Sequence, residues 1–446
     1  MDRRTGYSNR RTVATNPVGC PTPTPRSNRM PDHSPLITGV DVVVTNPMQA
    51  PLGNFVLVRV TTDQDGLHGW GDATCSGSEL AVVTMIEEHI APALIGQPAG
   101  RIEHLWHTIY HLPYYRSGSV HLSAVSGIDM ALWDIKGKQA GLPVCELLGG
   151  RVRDRMLTYR SVSGSTFDEV LERVHHLQQL DYQVIKVQVA VPELESGYAV
   201  PASDAQQAAT EEAFARGVPP AETWEPEPYT QLIPRLFEFL RAELGNSVQL
   251  IHDVHERVTP SQGLRLACDL APFNLFYLED LLRPEHLDTF RLVRSQSPVP
   301  LAMGEVFCNP WEGQELWFEH LVDYARHDLA HVGGITAARK IAAVCEARGI
   351  LTAWHGPGNI SPVTHMANAH VSLSVPNFGI QEFDANWDER VEEVFSTVPV
   401  YADGHVTVPL STGLGVDVDI DAARKHPYVR RMRPTVRRSD GTPWAY

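Results

Sequence analysis

Cysteine is scarce and scattered in this 446-residue sequence: there are six, and none forms a CxxC pair. That fits reduced thiols in a cytoplasmic setting better than a disulfide framework. Long apolar runs are lacking as well. No stretch approaches the roughly 18–20 residues of a membrane helix, so no span is expected. Positive charge is in deficit, with 37 Lys plus Arg against 53 Asp plus Glu and a formal net charge of -16. This argues against nucleic acid and against anionic membrane as partners. Two Arg-Arg pairs near the N-terminus have no apolar segment after them, so no twin-arginine export signal is expected. Pro, Ser, Thr, Asn and Arg dominate residues 1–33, the composition expected of a disordered tail, or of upstream sequence taken in by the choice of start codon, with no expected part in catalysis.

What is present is an ordinary globular composition, 43% hydrophobic and 20% charged, long enough for two or three domains. "LITGVDVVVTN" and "NFVLVRVTTDQDGLHGWGDA" read as strands, with Asp65-Gly66 as a hairpin turn. Helical stretches follow, the last of them "LSAVSGIDMALWDIKGKQAG", so residues 34–153 are expected to form an α+β domain. Beyond residue 154 the rhythm changes. Eight apolar runs ("MLTYRSV", "YQVIKVQV", "VQLIHDV", "LFYLED", "PLAMGE", "LVDYARHD", "ILTAWHG", "FGIQE") alternate with helix-like segments. Alternating units of this kind predict an α/β fold, here a modified (β/α) TIM-type barrel over residues 154–395. Residues 396–446 are expected to return to the first domain and complete it. The connection 190–229, rich in Pro, Glu and Ala, has the length of a lid or of a disordered loop.

The chemistry shows at the strand ends. "QLIHD" ends at Asp253, "LFYLE" at Glu279 and "PLAMGE" at Glu305, 26 residues apart each time. Equal steps of one β/α repeat place three carboxylates at the barrel mouth, where they repel one another unless a cation joins them. An all-oxygen set favours Mg²⁺. Three unrelated acids at helix N-termini are the plain alternative. Alternation along the strand puts His255 on the same face as Asp253, as a proton carrier beside the metal, and directs Glu256 and Arg257 away into a salt-bridged loop. Later strand ends offer Arg326 and His327, His355 and Glu382. "HVGGIT" could present backbone N–H groups to an anion.

These motifs resemble the enolase superfamily, in its mandelate racemase/muconate lactonizing enzyme-like mannonate dehydratase branch. The likeness runs through "GDATCSG", "DMALWDIKGK", "HDVHERVTP", "YLED", "GEVFCNP", "HVGGIT", "AWHGPGNISPVTH" and "PNFGIQE", from about residue 38 onward. The resemblance implies an α+β capping domain on a modified barrel and one Mg²⁺ per subunit on Asp253, Glu279 and Glu305. It implies His255 as general acid, and Tyr198 of "VPELESGYAV" as sharing the base role. Arg326, His355 and Glu382 then match substrate-binding or catalytic positions, Asn54 matches a substrate contact, and a homo-oligomer is expected. The chain departs from the branch at Lys186, where an arginine is usual, and at Ser161, Glu256 and Asn359. The expected reaction is Mg²⁺-dependent dehydration of an acid sugar: a proton α to a carboxylate leaves, then the β-hydroxyl, giving a 2-keto-3-deoxy acid. The base is Tyr198 with Lys186, or Lys186 alone, against the alternative of Lys186 as an ion pair to Glu279 or Asp253. Another α-proton reaction, such as epimerisation, racemisation or a different β-elimination, stays open, as does a protein with little or no dehydratase activity.

Overall fold

The computed structural model describes residues 34–49, 53–192, 194, 204–384, 387–430 and 432–444. The first 33 residues, and with them the expected tail, lie outside the described residues.

The chain begins with an antiparallel meander: β1 (Ile37–Thr45), β2 (Phe55–Thr62) and β3 (His68–Asp72). The β2–β3 turn contains Gly66 at φ 71°, which suits glycine. The meander packs on the long helix Ser119–Ala140. Contact there is so close that a Cβ on Gly71 would lie 1.8 Å from the Gly127 carbonyl oxygen.

The barrel strands follow: β4 (Met156–Gly164) and β5 (Val184–Val189), then, past the short outlying β6 (Ala221–Thr223), β7 (Gln249–Asp253), β8 (Tyr277–Glu279), β9 (Leu301–Met303), β10 (Tyr324–Ala325), β11 (Leu351–Thr352) and β12 (Gln381–Glu382). All eight apolar runs therefore contain a strand. They pair in parallel in the order β4-β5-β7-β8-β9-β10-β11. The ring closes through Phe378, which bridges Thr352 of β11, and through β12, which pairs with β4. The interior is filled by Tyr159, Val184, Ile251, Tyr277, Ala302, Ala353 and Ile380, one from each of seven strands or their immediate flanks. Alternation governs β7 as expected: Ile251 and Asp253 face inward. His252 faces the helix layer, where it bonds Tyr229 at 2.7 Å and the Val187 carbonyl at 3.0 Å.

The last segment touches several layers. β13 (Val400–Ala402) and β14 (His405–Thr407) form a hairpin that adds antiparallel to β4. Thr45 of β1 then donates to the carbonyls of Ala423 and His426, and β15 (Thr435–Arg437) pairs in parallel with β6. The meander-and-helix part docks on the barrel through polar contacts. The Trp106 indole donates to the Gly333 carbonyl at 2.8 Å, and Asp72 accepts from Ser361 N and Thr364 Oγ1 at 2.9 Å each. No helix among the described residues is long and apolar enough to cross a membrane.

Candidate active site

The carboxylates expected at the strand ends gather at one end of the ring. Asp253 and Glu279 are the last residues of β7 and β8, and Glu305 comes two residues after β9. Beneath them runs a buried ion network. Lys186 Nζ lies 3.4 Å from Asp253, 3.2 Å from Glu279 and 3.1 Å from Glu382. Arg326 Nη2 lies 2.7 Å from Glu279, 2.8 Å from Glu382 and 3.2 Å from Glu305. The two cations thus share Glu279 and Glu382. Burial acts to raise Glu382, but Arg326 and Lys186 outweigh it and hold this carboxylate below its usual range. Lys186 has the geometry of the ion-pair alternative, extended to a third carboxylate.

Above the network is a cavity of about 270 Å³ lined by His255, Glu256, Asp280, Glu305, Val306, His331, His355, Arg433 and Pro434. The two oxygens of Glu305 separate two histidines: Oε1 is 3.4 Å from His255 Nε2, and Oε2 is 3.4 Å from His355 Nε2. Burial opposes ionisation of Glu305, but His355, His255 and Arg326 together hold it well below the normal carboxylate range. On its far side His355 presents Nδ1 to Asp328 Oδ2 at 2.6 Å. Asp328 is fully buried and also accepts from the Ala330 amide at 2.7 Å. That short bond makes Nδ1 a donor and turns Nε2 to the cavity, where it is the acceptor whenever the ring is neutral. Burial acts to lower the ring, but Glu305 and Asp328 outweigh it and raise it above the usual histidine value.

His255 reaches the cavity by a route that alternation does not describe. The strand stops at Asp253, and His255 and Glu256 follow at φ 56° and 61°. Consecutive non-glycine residues in this region cost roughly 1 kcal/mol or more each. They are held by His255 N to Asp253 Oδ1 at 2.9 Å and by Glu256 N to the Asp280 carbonyl at 2.8 Å. The indoles of Trp224 and Trp444 both donate to the Arg257 carbonyl, at 3.0 and 3.2 Å. The same turn corrects the expectation for Glu256. Its side chain lines the cavity, and Oε1 is buried with no hydrogen-bond donor among the described residues. Burial, then Glu305, pushes its carboxyl up to about 8.

Other expected residues fall elsewhere. Asn54 does not line the cavity: its Oδ1 accepts from Val429 N at 3.0 Å and its Nδ2 donates to the Val429 carbonyl at 2.9 Å, so the amide anchors the C-terminal segment. His327 points away from the barrel interior, among Phe307 and Trp317. The "HVGGIT" amides are already used: Gly333 N donates to Ser126 Oγ and Thr336 N to Asp129 Oδ2, each at 2.9 Å. Tyr198 lies outside the described residues. Sequence reasoning missed Asp280 and Asp328, both of which stood beside a quoted residue. Asp280 directly follows Glu279, and Asp328 closes "DYARHD" two residues after Arg326.

The donor set fits a hard divalent cation. Asp253, Glu279 and Asp280 each offer an oxygen within 4.8 Å of the others, and all three are buried. Both carboxylate oxygens of Asp280 lack a donor among the described residues. Burial, then repulsion from Glu305, Glu279 and Asp253, raises Asp280 well above its usual range. Burial leads again at Glu279, which goes up to about 8 despite Arg326. A buried group of acids with unmatched oxygens is short of positive charge, and oxygen ligands select Mg²⁺-like ions.

Comparison with known proteins gives the family. Residues 34–149 match the family described as mandelate racemase/muconate lactonizing enzyme, N-terminal domain, and residues 171–423 match the enolase C-terminal domain-like family. A D-galactonate dehydratase family member of Streptomyces bingchenggensis is 41% identical over 407 residues, covering 91% of this chain and 97% of that protein. A D-mannonate dehydratase of Caulobacter vibrioides is 40% identical over 406 residues, covering 91% of this chain and 98% of its own. The crystal structure of an enolase from Pantoea ananatis with bound D-gluconate and Mg superimposes with a TM-score of 0.83 at 40% identity, covering 92% of this chain and 99% of that one.

Proposed function

The chain belongs to the enolase superfamily, and from that premise we propose that it is a Mg²⁺-dependent acid-sugar dehydratase. The observation that carries this reading is one buried set of strand-end carboxylates beneath a cavity lined by three histidines, two of which, His255 and His355, flank Glu305. It is joined by 40% identity to a D-mannonate dehydratase and to a structure that binds D-gluconate and Mg. Asp253, Glu279 and Glu305 would hold the cation. Bound there, it would act as a Lewis acid on the substrate carboxylate and support the charge left when the α-proton departs.

The remaining work falls to this chain's side chains. Lys186 and Arg326 balance Glu279 and Glu382 and fix the acids in place. His355, its tautomer set by Asp328, takes the α-proton at Nε2. His255 gives a proton to the β-hydroxyl as it leaves as water. Ketonisation of the resulting enol yields the 2-keto-3-deoxy acid. Tyr198 with Lys186 is the other source of a base, and His355→Asn and Tyr198→Phe separate the two. The capping unit is assigned to residues 34–153 with 396–446 and the barrel to 154–395. A cytoplasmic homo-oligomer is part of the same proposal, and sedimentation tests its assembly.

The test is a panel of aldonic acids, including D-mannonate and D-gluconate, incubated with protein and Mg²⁺ and assayed for 2-keto-3-deoxy product. Product is expected with wild type and not with His255→Asn. No product from any acid, with His255→Asn behaving as wild type, would overturn the reading. The two histidines about Glu305 also favour a second reading, α-proton exchange without loss of water. It requires deuterium uptake into unconsumed substrate.

A further inference from the structure

The acids of this site divide into two groups. The inner group, Glu279 and Glu382, meets Lys186 and Arg326 directly. The outer group lines the cavity: Glu256, Asp280 and Glu305. In it, both oxygens of Asp280, Oε1 of Glu256 and Oε2 of Glu305 are buried without a hydrogen-bond donor among the described residues. Glu305 Oε2 still has His355 and Arg326 at ion-pair distance. Neither Asp280 nor Glu256 has such a neighbour within the ion-pair distance among the described residues. Yet Asp280 is 1% exposed and Glu256 7%. Both also stand in strained backbone, Asp280 at φ 40° and Glu256 at φ 61°. The Glu256 amide bonds the Asp280 carbonyl at 2.8 Å, so the two turns are tied together. Buried carboxylates in strained turns that line a cavity and lack a donor imply a positively charged or donor-rich occupant.

We propose that Asp280 and Glu256 form an outer shell for the cation, accepting hydrogen bonds from the water molecules that remain on it and so tightening its binding. The inference rests on the metal reading of Asp253, Glu279 and Glu305; it gives Asp280, whose oxygen lies within 4.8 Å of those of Asp253 and Glu279, a role through water, and adds Glu256. Mg²⁺ retains several waters in protein sites, and those waters would need acceptors among the groups beside the ligating carboxylates. Asp280, with an oxygen within 4.8 Å of those of Asp253 and Glu279, is placed to serve them, and Glu256, tied to it through the backbone, lines the same cavity.

The experiment is calorimetric titration of chelator-stripped, full-length protein with MgCl₂ and MnCl₂. Wild type, Asp280→Asn and Glu256→Gln are compared, with circular dichroism as a check on folding. Asn tolerates the left-handed backbone at position 280 and keeps the side chain's size. Wild type is expected to bind one ion per chain. Asp280→Asn should weaken binding by about 10- to 100-fold, the loss typical of outer-shell partners, and Glu256→Gln by less. Folded variants that bind within twofold of wild type would overturn the proposal. Two ions per wild-type chain would overturn it too, since the outer acids would then ligate a second ion directly, and so would a loss well beyond about 100-fold in Asp280→Asn, the mark of a direct ligand. If wild type binds no divalent cation, the dehydratase reading itself fails, which is a different result from wild-type binding matched by the variants.

Discussion

Asp328→Asn is the substitution that bears most directly on the proposed proton transfer. The carboxylate accepts from His355 Nδ1 at 2.6 Å and from Ala330 N at 2.7 Å, using a different oxygen for each. An asparagine must turn its single carbonyl toward the Ala330 amide, which leaves its NH₂ facing Nδ1. A ring nitrogen that faces a donor must accept, so the proton moves to Nε2. The cavity-facing nitrogen would then carry the hydrogen it is meant to collect. General acid–base catalysis is worth about 10²–10⁴ in rate, equivalent to about 3–5 kcal/mol on the barrier at 1.36 kcal/mol per decade. With shape and volume nearly conserved, KM should change little while kcat falls by two to four decades. Steady-state kinetics on the best substrate of the aldonate panel, with a thermal melt to confirm folding, reads this out. A folded Asp328→Asn enzyme with kcat within threefold of wild type would refute the assignment of His355 as the proton acceptor.

Asp129 in the Ser119–Ala140 helix is fully buried and accepts from Thr336 N at 2.9 Å, and burial pushes its carboxyl up to about 7. Because its unfolded value is about 4, the stability it contributes is complete below pH 4 and drains away as pH rises through 7, by at most about 4 kcal/mol. Asp129→Asn should flatten that slope in urea titrations at pH 5 and pH 8, and an unchanged slope would count against the linkage. Trp444→Ala removes one of two indoles from the Arg257 carbonyl, leaving Trp224 in place. One such bond is worth about 1 kcal/mol, so kcat should drop by about fivefold through a looser His255 turn while the melting temperature moves by only a few degrees. Gly71→Ala must displace the Gly127 backbone that lies 1.8 Å from the new Cβ. A loss of about 3 kcal/mol is expected from thermal unfolding, and a variant as stable as wild type would contradict that packing.

The barrel was legible because its signal repeats. Eight apolar runs of similar spacing each yielded a strand, and two of the three carboxylates set 26 residues apart close β7 and β8. His255 lines the cavity for a reason that strand alternation does not contain, since a turn at positive φ carries it there. That turn also explains why Glu256 was sent to the wrong side: a period-2 rule fails at the residue where the strand ends. Asn54 is paired with Val429, 375 positions away, and no local pattern reports such a contact. Asp280 and Asp328 gave the same apolar-run-then-acid signal as their neighbours. What distinguishes them is burial without a donor in one case and a 2.6 Å bond to a histidine in the other, both properties of the folded site.

The central claim is tested most directly by proton NMR of chelator-stripped protein with D-mannonate and with D-gluconate in D₂O, before and after addition of Mg²⁺. The account predicts no change without the metal. With Mg²⁺ it predicts conversion of at least one acid to a 2-keto-3-deoxy product carrying one solvent deuteron at C3, delivered as the enol ketonises. Exchange of the C2 hydrogen in recovered substrate without elimination, or conversion that proceeds equally well in the absence of divalent metal, would contradict it.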